Sequence, residues 1–236
     1  MPKTVQLHAF HQKHGHVVDF AGFELPLWFK GIIPESTAVR NSVGLFDVSH
    51  MGRAIVRGRD SLRFLDTLTT NDVTSLRNEQ GQYSLLCNEQ GGIMDDLLVS
   101  RLSDEEYLII YNAGNRSKDF DWFLKQARSH DVELLDVSDN VAMFALQGPA
   151  SSNVLKKICN YDPPSVPRFG CKWCEVAGMK SIISRTGYTG EDGYEIFVWD
   201  SPITAPDRAT HVWDQLLDAG KPEGIEPCGL GARDLL

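Results

Sequence analysis

Three strand-like runs, Tyr83 to Cys87, Ile93 to Leu102 and Tyr107 to Tyr111, follow one another with only Gly91-Gly92 and Asp104-Glu105 turn chemistry between them. Connections this short cannot hold the dozen or more residues of a parallel crossover, so the runs pair antiparallel. Alternation at Ala54-Ile55-Val56, an extended run Leu45 to Val48, and runs at Val132 to Val137, Val141 to Leu146 and Tyr194 to Val198 add strands. Trp173 to Val176 and Ser181 to Ser184 read as a hairpin turning at Gly178. Helices are fewer. Pro34 opens one that carries Val39, and Asp60 caps one carrying Leu62, Leu65 and Leu68. Asn115 caps one with Phe120, Phe123, Leu124 and Ala127 on one face. Pro149 opens one burying Val154, Leu155 and Ile158, and the last carries Val212, Trp213, Leu216 and Leu217. Antiparallel groups with occasional helices predict an α+β fold, not a doubly wound parallel sheet.

The 236 residues, 42% hydrophobic and 23% charged, suffice for a real core and exclude a disordered chain or a disulfide-stapled miniprotein. Lys and Arg number 23 against 32 Asp and Glu, a net charge of -9, and no basic run could follow a phosphate backbone, which argues against nucleic acid as a partner. No window approaches the roughly 18 apolar residues of a membrane helix, and the opening lacks a signal-peptide core. Five cysteines, an odd number, suit reduced thiols. The expected location is a prokaryotic cytoplasm, or the mitochondrial matrix for a processed eukaryotic form. After Gly229, Gly231 and Arg233 the chain stops as helix formers begin, so it reads as cut short.

Cys171-Lys172-Trp173-Cys174 has the spacing of half a zinc site, but no second pair completes it and it falls within a strand, so structural thiols are expected. His8, His11, His14 and His16 lack a neighbouring carboxylate or thiol and are expected on a solvated surface. Asp95-Asp96 is more informative. Two acids follow the Gly91-Gly92 turn in a strand otherwise built from Ile93, Leu97, Leu98 and Val99, and alternation sends their side chains to opposite faces. One faces the apolar side, where a carboxylate needs hydrogen bonds and is a candidate for proton handling or substrate orientation. A charge guarding a sheet edge is the alternative. Arg185 to Glu195 packs three glycines, two tyrosines and three acids between strands, without the closing Lys-Ser/Thr of a phosphate loop. It is equally a structural loop or a binding loop in which Tyr188 stacks on a flat ring and Glu195 accepts from ring N–H groups. Ser49-His50 lacks the frame of a hydrolase nucleophile.

Asp19 to Gly22, Ser42 to Gly52, Gly91 to Leu97, Leu146 to Pro149, Arg185 to Glu195 and Gly229 to Asp234 occur in that order. Together they resemble the aminomethyltransferase (T-protein) family of the glycine cleavage system, over essentially the whole chain. The resemblance implies two α+β domains with antiparallel sheets flanked by helices, and a C-terminal β-barrel that this chain lacks. Residues 1–52 with 141–228 would form a discontinuous first folate-binding domain, 53–140 the second, and 229–236 the start of a truncated continuation.

The resemblance also implies an activity. The one-carbon unit would move from the aminomethyl-dihydrolipoyl arm of H-protein to tetrahydrofolate, with release of ammonia. Tetrahydrofolate is the cosubstrate, and no metal, nucleic acid or membrane is implied. Such an enzyme needs no protein nucleophile, because folate nitrogens attack; it positions two reactants and favours an electron-poor carbon. Asp96 matches the family's key aspartate, with Asp95 as a structural neighbour. Met51, Tyr83, Leu98, Asn112, Tyr188, Glu195 and Arg233 match folate-pocket positions. A demethylase acting on another donor, or a non-catalytic folate-binding scaffold, are the alternatives. Without the barrel, the chain alone is expected to bind tetrahydrofolate weakly and to be inactive.

Overall fold

The computed structural model describes residues 2–236. In chain order the elements are α1 His8–His14, β1 His16–Phe20, β2 Phe23–Trp28, α2 Ile32–Asn41, β3 Gly44–Asp47, β4 Gly52–Arg57, α3 Ser61–Leu68, β5 Gln80–Cys87, β6 Ile93–Ser103 and β7 Glu106–Tyr111. There follow α4 Arg116–Ala127, β8 Glu133–Asp136, β9 Ala142–Gln147, α5 Ser151–Lys156, β10 Cys171–Val176, β11 Met179–Ser184, β12 Gly193–Val198, α6 Asp207–Gly220, β13 Glu226–Cys228 and α7 Leu230–Arg233. Two compact units result. One comprises Met1–His50, Asp139–Arg168 and Lys172–Leu236; the other comprises Met51–Ser138 and Phe169–Cys171. Both are mixed α+β with antiparallel sheets flanked by helices. Among the described residues, no helix is long and apolar enough to cross a membrane.

The first unit holds a six-stranded sheet in the order β10-β11-β12-β9-β3-β13 and the separate hairpin β1-β2. The large sheet departs from pure antiparallel pairing at its edge, where Glu226 to Cys228 run parallel to Gly44 to Phe46. Alternating residues of β9 and β12, such as Phe144, Leu146, Tyr194 and Ile196, bury against Val212, Trp213 and Leu216 of α6. The hairpin β10-β11 turns through Ala177 and Gly178, both at positive φ (50° and 74°), the conformation whose twist matches paired strands. The hairpin β1-β2 turns the same way through Ala21 and Gly22, where Asp19 Oδ1 accepts from the Gly22 amide at 3.0 Å. Residues 229–236, expected as the opening of a continuation, pack within this unit. The Glu35 carboxylate ties them down, accepting from Gly229 N at 2.8 Å.

The histidine tract departs from expectation at His11, while His14 and His16 are exposed as expected. His8–His14 is helical, and His11 is fully buried with its Nε2 3.2 Å from Asp47 Oδ2. Burial pushes the Asp47 carboxyl up, but His11 and Ser49 outweigh it and hold the group below its ordinary value. The partner that keeps His11 from solvent lies on β3, beyond the reach of a local reading.

The second unit is a five-stranded sheet in the order β5-β6-β7-β4-β8, antiparallel throughout. Phe64, Leu65 and Leu68 of α3 and Phe123 of α4 bury against Leu97, Val99, Ile109 and Tyr111 on one face. Neither expected cap is made by its side chain: Asp60 Oδ2 accepts instead from Asp131 N at 2.9 Å, and Asn115 makes no cap bond.

Candidate active site

In the second unit the site follows from register. Leu86 pairs with Asp95 but Cys87 pairs with Ile93, so Met94 is an extra residue, a bulge just after the turn. Asn88 shapes that turn, its Oδ1 accepting from Gln90 N at 3.0 Å and Gly92 N at 2.8 Å. Lys118 Nζ of α4 donates to the bulged Met94 carbonyl at 2.8 Å. Beyond the bulge, Asp95, Leu97 and Val99 face the helices and are buried, while Asp96 and Leu98 face the other way and are half-buried.

Cross-strand pairs share a face, so Asp96 is grouped with Leu85, and Leu98 with Tyr83, Ile110 and Arg53. Asn112 and Met51 extend the Asp96 row, each one residue beyond the Leu97–Tyr111–Gly52 pairing. Met51, Tyr83, Asp96, Leu98 and Asn112 are therefore brought together. Tyr83 is 48% exposed. Arg53 is fully buried and braces this row, donating from Nη1 to the Met51 carbonyl at 2.7 Å.

Asn112 bridges the two aspartates. Its Nδ2 donates to Asp95 Oδ1 at 2.8 Å and lies 3.0 Å from Asp96 Oδ1, and its backbone N donates to Asp95 Oδ2 at 3.2 Å. Burial pushes the Asp95 carboxyl up, but hydrogen bonds from Asp119, Asn112 and Asn115 hold it below its ordinary value. Asp119 of α4 behaves oppositely: burial and the neighbouring Asp95 push it up to about 8. Asp119 did not stand out in the sequence. The available signal was its spacing, four residues before Phe123, which places it on the buried stripe of α4.

In the first unit, Tyr188 and Arg233 are brought together, the guanidinium lying 4.4 Å from the centre of the ring, and both are exposed. Glu195 of β12 is half-buried, and Thr186 Oγ1 donates to its Oε2. Burial pushes its carboxyl up and that hydrogen bond pulls it back, the balance lying above the ordinary value. The loop before β12 is held by Gln147, a fully buried residue. Its Nε2 donates to Thr186 O at 3.1 Å and its Oε1 accepts from Thr189 Oγ1 at 2.9 Å. Gly187 and Gly193 lie flat on that amide, where an added Cβ would meet it at 2.0 Å and 2.5 Å. Arg185 and Asp192 close the loop with a two-pronged pair, at 3.0 and 2.6 Å. Two of the three glycines thus serve packing. Ser49 Oγ is tied to the Met143 backbone, at 2.9 Å from N and 3.2 Å from O, rather than poised as a nucleophile.

The aminomethyltransferase of Clostridium botulinum (strain 657 / Type Ba4) is 44% identical over 236 residues, which make up 99% of this chain and 62% of that protein. That of Caldanaerobacter subterraneus subsp. tengcongensis is 43% identical, over 100% of this chain and 62% of its own length. The chain thus spans about 62% of the length of the curated relatives it matches. The crystal structure of glycine cleavage system aminomethyltransferase T from Bartonella henselae superposes with a TM-score of 0.88 at 33% identity, covering 99% of this chain and 61% of that one. Heterotetrameric sarcosine oxidase from Corynebacterium sp. U-96 shares the fold, with a TM-score of 0.59 at 19% identity over 81% of this chain and 91% of that one. The family described as GCVT N-terminal domain matches residues 7–236, and the chain belongs to it.

Proposed function

We propose that the chain is the folate-binding part of an aminomethyltransferase of the glycine cleavage system. The complete protein takes the aminomethyl group from the dihydrolipoyl arm of H-protein, releases ammonia and passes the one-carbon unit to tetrahydrofolate. The observation that carries this reading is the placement of Asp96, held by Asn112 at 3.0 Å on the face that also bears Tyr83 and Leu98, in a chain 44% identical to curated aminomethyltransferases.

Each unit, taken by itself, carries groups that suit part of a folate. Tyr83 offers a flat ring and Leu98 an apolar surface for a planar ligand. Glu195 has one oxygen engaged by Thr186, leaving Oε1 to accept from pterin ring donors. In the same unit as Glu195, Tyr188 presents an aromatic surface with Arg233 stacked on it. Asp96 supplies negative charge near the folate nitrogen that receives the one-carbon unit, and so stabilises the electron-poor carbon during transfer. Asn112 fixes the Asp96 side chain, and Met51 closes the row beside it.

In the complete protein, supplied with aminomethyl-loaded H-protein and tetrahydrofolate, Asp96→Asn should abolish methylene-tetrahydrofolate formation and leave folate binding within about threefold. Unchanged turnover would overturn the assignment of Asp96. Methyl transfer from an N-methyl or sulfonium donor, with no ammonia released from loaded H-protein, would overturn the choice of substrate.

A further inference from the structure

Asp119 is fully buried, and among the described residues none donates a hydrogen bond to its carboxyl oxygens, although Lys118 Nζ lies 3.5 Å from Oδ1. Asp119 faces Asp95 of β6, where each carboxyl acts on the other, and its α4 neighbour Lys118 reaches the Met94 carbonyl one residue before Asp95. Two carboxylates repel, and a hydrogen bond between them exists only when one carries a proton. Asp95 is the poor candidate for that proton. Its Oδ1 and Oδ2 already accept from the Asn112 side chain and backbone, at 2.8 and 3.2 Å. Asp119 has instead the Lys118 ammonium at 3.5 Å, which already donates to Met94 O, so it is the carboxyl that gains by being neutral.

We propose that Asp119 is a positioning residue: it stays protonated and donates to Asp95, which anchors Asn112 and, through the Asn112 amide, the Asp96 carboxylate. The inference rests on the aminomethyl-transfer reading only where it invokes the role of Asp96. The path is continuous. Asp119 meets Asp95, Asp95 accepts from Asn112, and the same Nδ2 that reaches Asp95 Oδ1 lies 3.0 Å from Asp96 Oδ1. Asp95 and Asp96 lie on opposite faces of β6, so Asn112 at the end of β7 carries the coupling across the sheet. The charged groups acting on Asp119 are Asp95 from β6 and Lys118 from its own helix, whose Nζ is 3.5 Å from Asp119 Oδ1 while donating to Met94 O. The neutral Asn112 and Asn115, which follow β7, complete the surroundings of Asp95. Lys118 favours the ionised form of Asp119, but burial and Asp95 outweigh it and push the carboxyl up to about 8. When Asp119 ionises it repels Asp95, and the anchor of Asn112 is lost.

The test uses the complete protein with two independent readouts. Carbon-13 NMR titration of labelled aspartate side chains should show one carboxyl changing state near pH 8, absent from Asp119→Asn. If every aspartate titrates below about pH 5, the proposal is overturned. In turnover assays kcat/KM should fall as pH rises through 8 in the parent. Asp119→Leu should lower kcat at pH 7 by tenfold or more, and Asp119→Asn, which keeps a donor, should restore it to within about threefold and remove the alkaline fall. A purely structural role predicts equal losses in both variants and an unchanged pH profile, which would overturn the proposal. A parent with no aminomethyl transfer would count against the functional reading, while the NMR titration still decides where the proton resides.

Discussion

Glu35 in the first unit and Asp119 in the second are both fully buried, yet their surroundings are opposite. Four backbone amides converge on Glu35: Phe29, Lys30 and Gly31 donate to Oε1 at 2.7, 2.7 and 2.9 Å, and Gly229 donates to Oε2 at 2.8 Å. Among the described residues none donates a hydrogen bond to Asp119, which faces another carboxyl and has Lys118 Nζ 3.5 Å from its Oδ1. An acceptor-only carboxylate suits the first place, and an acid that brings its own donor suits the second. Burial alone therefore does not tell how a carboxyl is held. The number of donors aimed at it does.

Breaking the Glu35 cluster has the largest expected effect. Glu35→Ala orphans four N–H groups at once and should lower unfolding free energy by about 3 kcal/mol or more in urea titrations. A loss below about 1 kcal/mol would show that water replaces the carboxylate. The contrast sharpens with Gln147, a buried amide whose donor and acceptor are both used. Gly187→Ala or Gly193→Ala drives a Cβ into that amide and should cost about 1–3 kcal/mol, recovered in part by pairing either change with Gln147→Ala.

Asp119→Asn should differ from the parent mainly in pH dependence. The group rises from 3.8 to about 8 on folding, so its contribution to stability is fully present below pH 3.8 and is lost as pH climbs towards 8, where the unfolded chain has released a proton that the folded chain retains. The amide has no proton to release, so unfolding curves of the variant should lack that decline and cross those of the parent between pH 4 and 8. Parallel curves would contradict a protonated Asp119. Asp95 acts in the opposite sense, its lowered value adding stability that is lost on acidification. The smallest effect belongs to Tyr188→Ala. Its exposed pairing with Arg233 should contribute no more than about 0.5–1 kcal/mol to stability, so weaker tetrahydrofolate binding by the complete variant would isolate its role in the ligand site.

The antiparallel runs of β5 to β7 were legible in the sequence because their turns are short and glycine-marked, and the opposed faces of Asp95 and Asp96 followed from strand alternation alone. Hairpin β1-β2 was not legible, since Pro26 interrupts the run and His16, Asp19 and Glu24 dilute its apolar pattern. Helix α1 was hidden by its histidines, of which His11 is buried with Asp47 of β3 3.2 Å away. At the candidate site, residues tied to local motifs could be singled out. Asp119, Thr186 and the bracing role of Gln147 depend on partners brought up by the fold, and no short-range pattern reports such partners.

The seating of Gly187 and Gly193 on one side chain binds three positions into a single unit of inheritance. A larger residue at either glycine is admissible only after Gln147 has shrunk, and a shrunken Gln147 leaves Thr186 O and Thr189 Oγ1 seeking new partners. Among related sequences these positions should change together or not at all, so their joint variation would mark lineages in which the loop before β12 has been rebuilt.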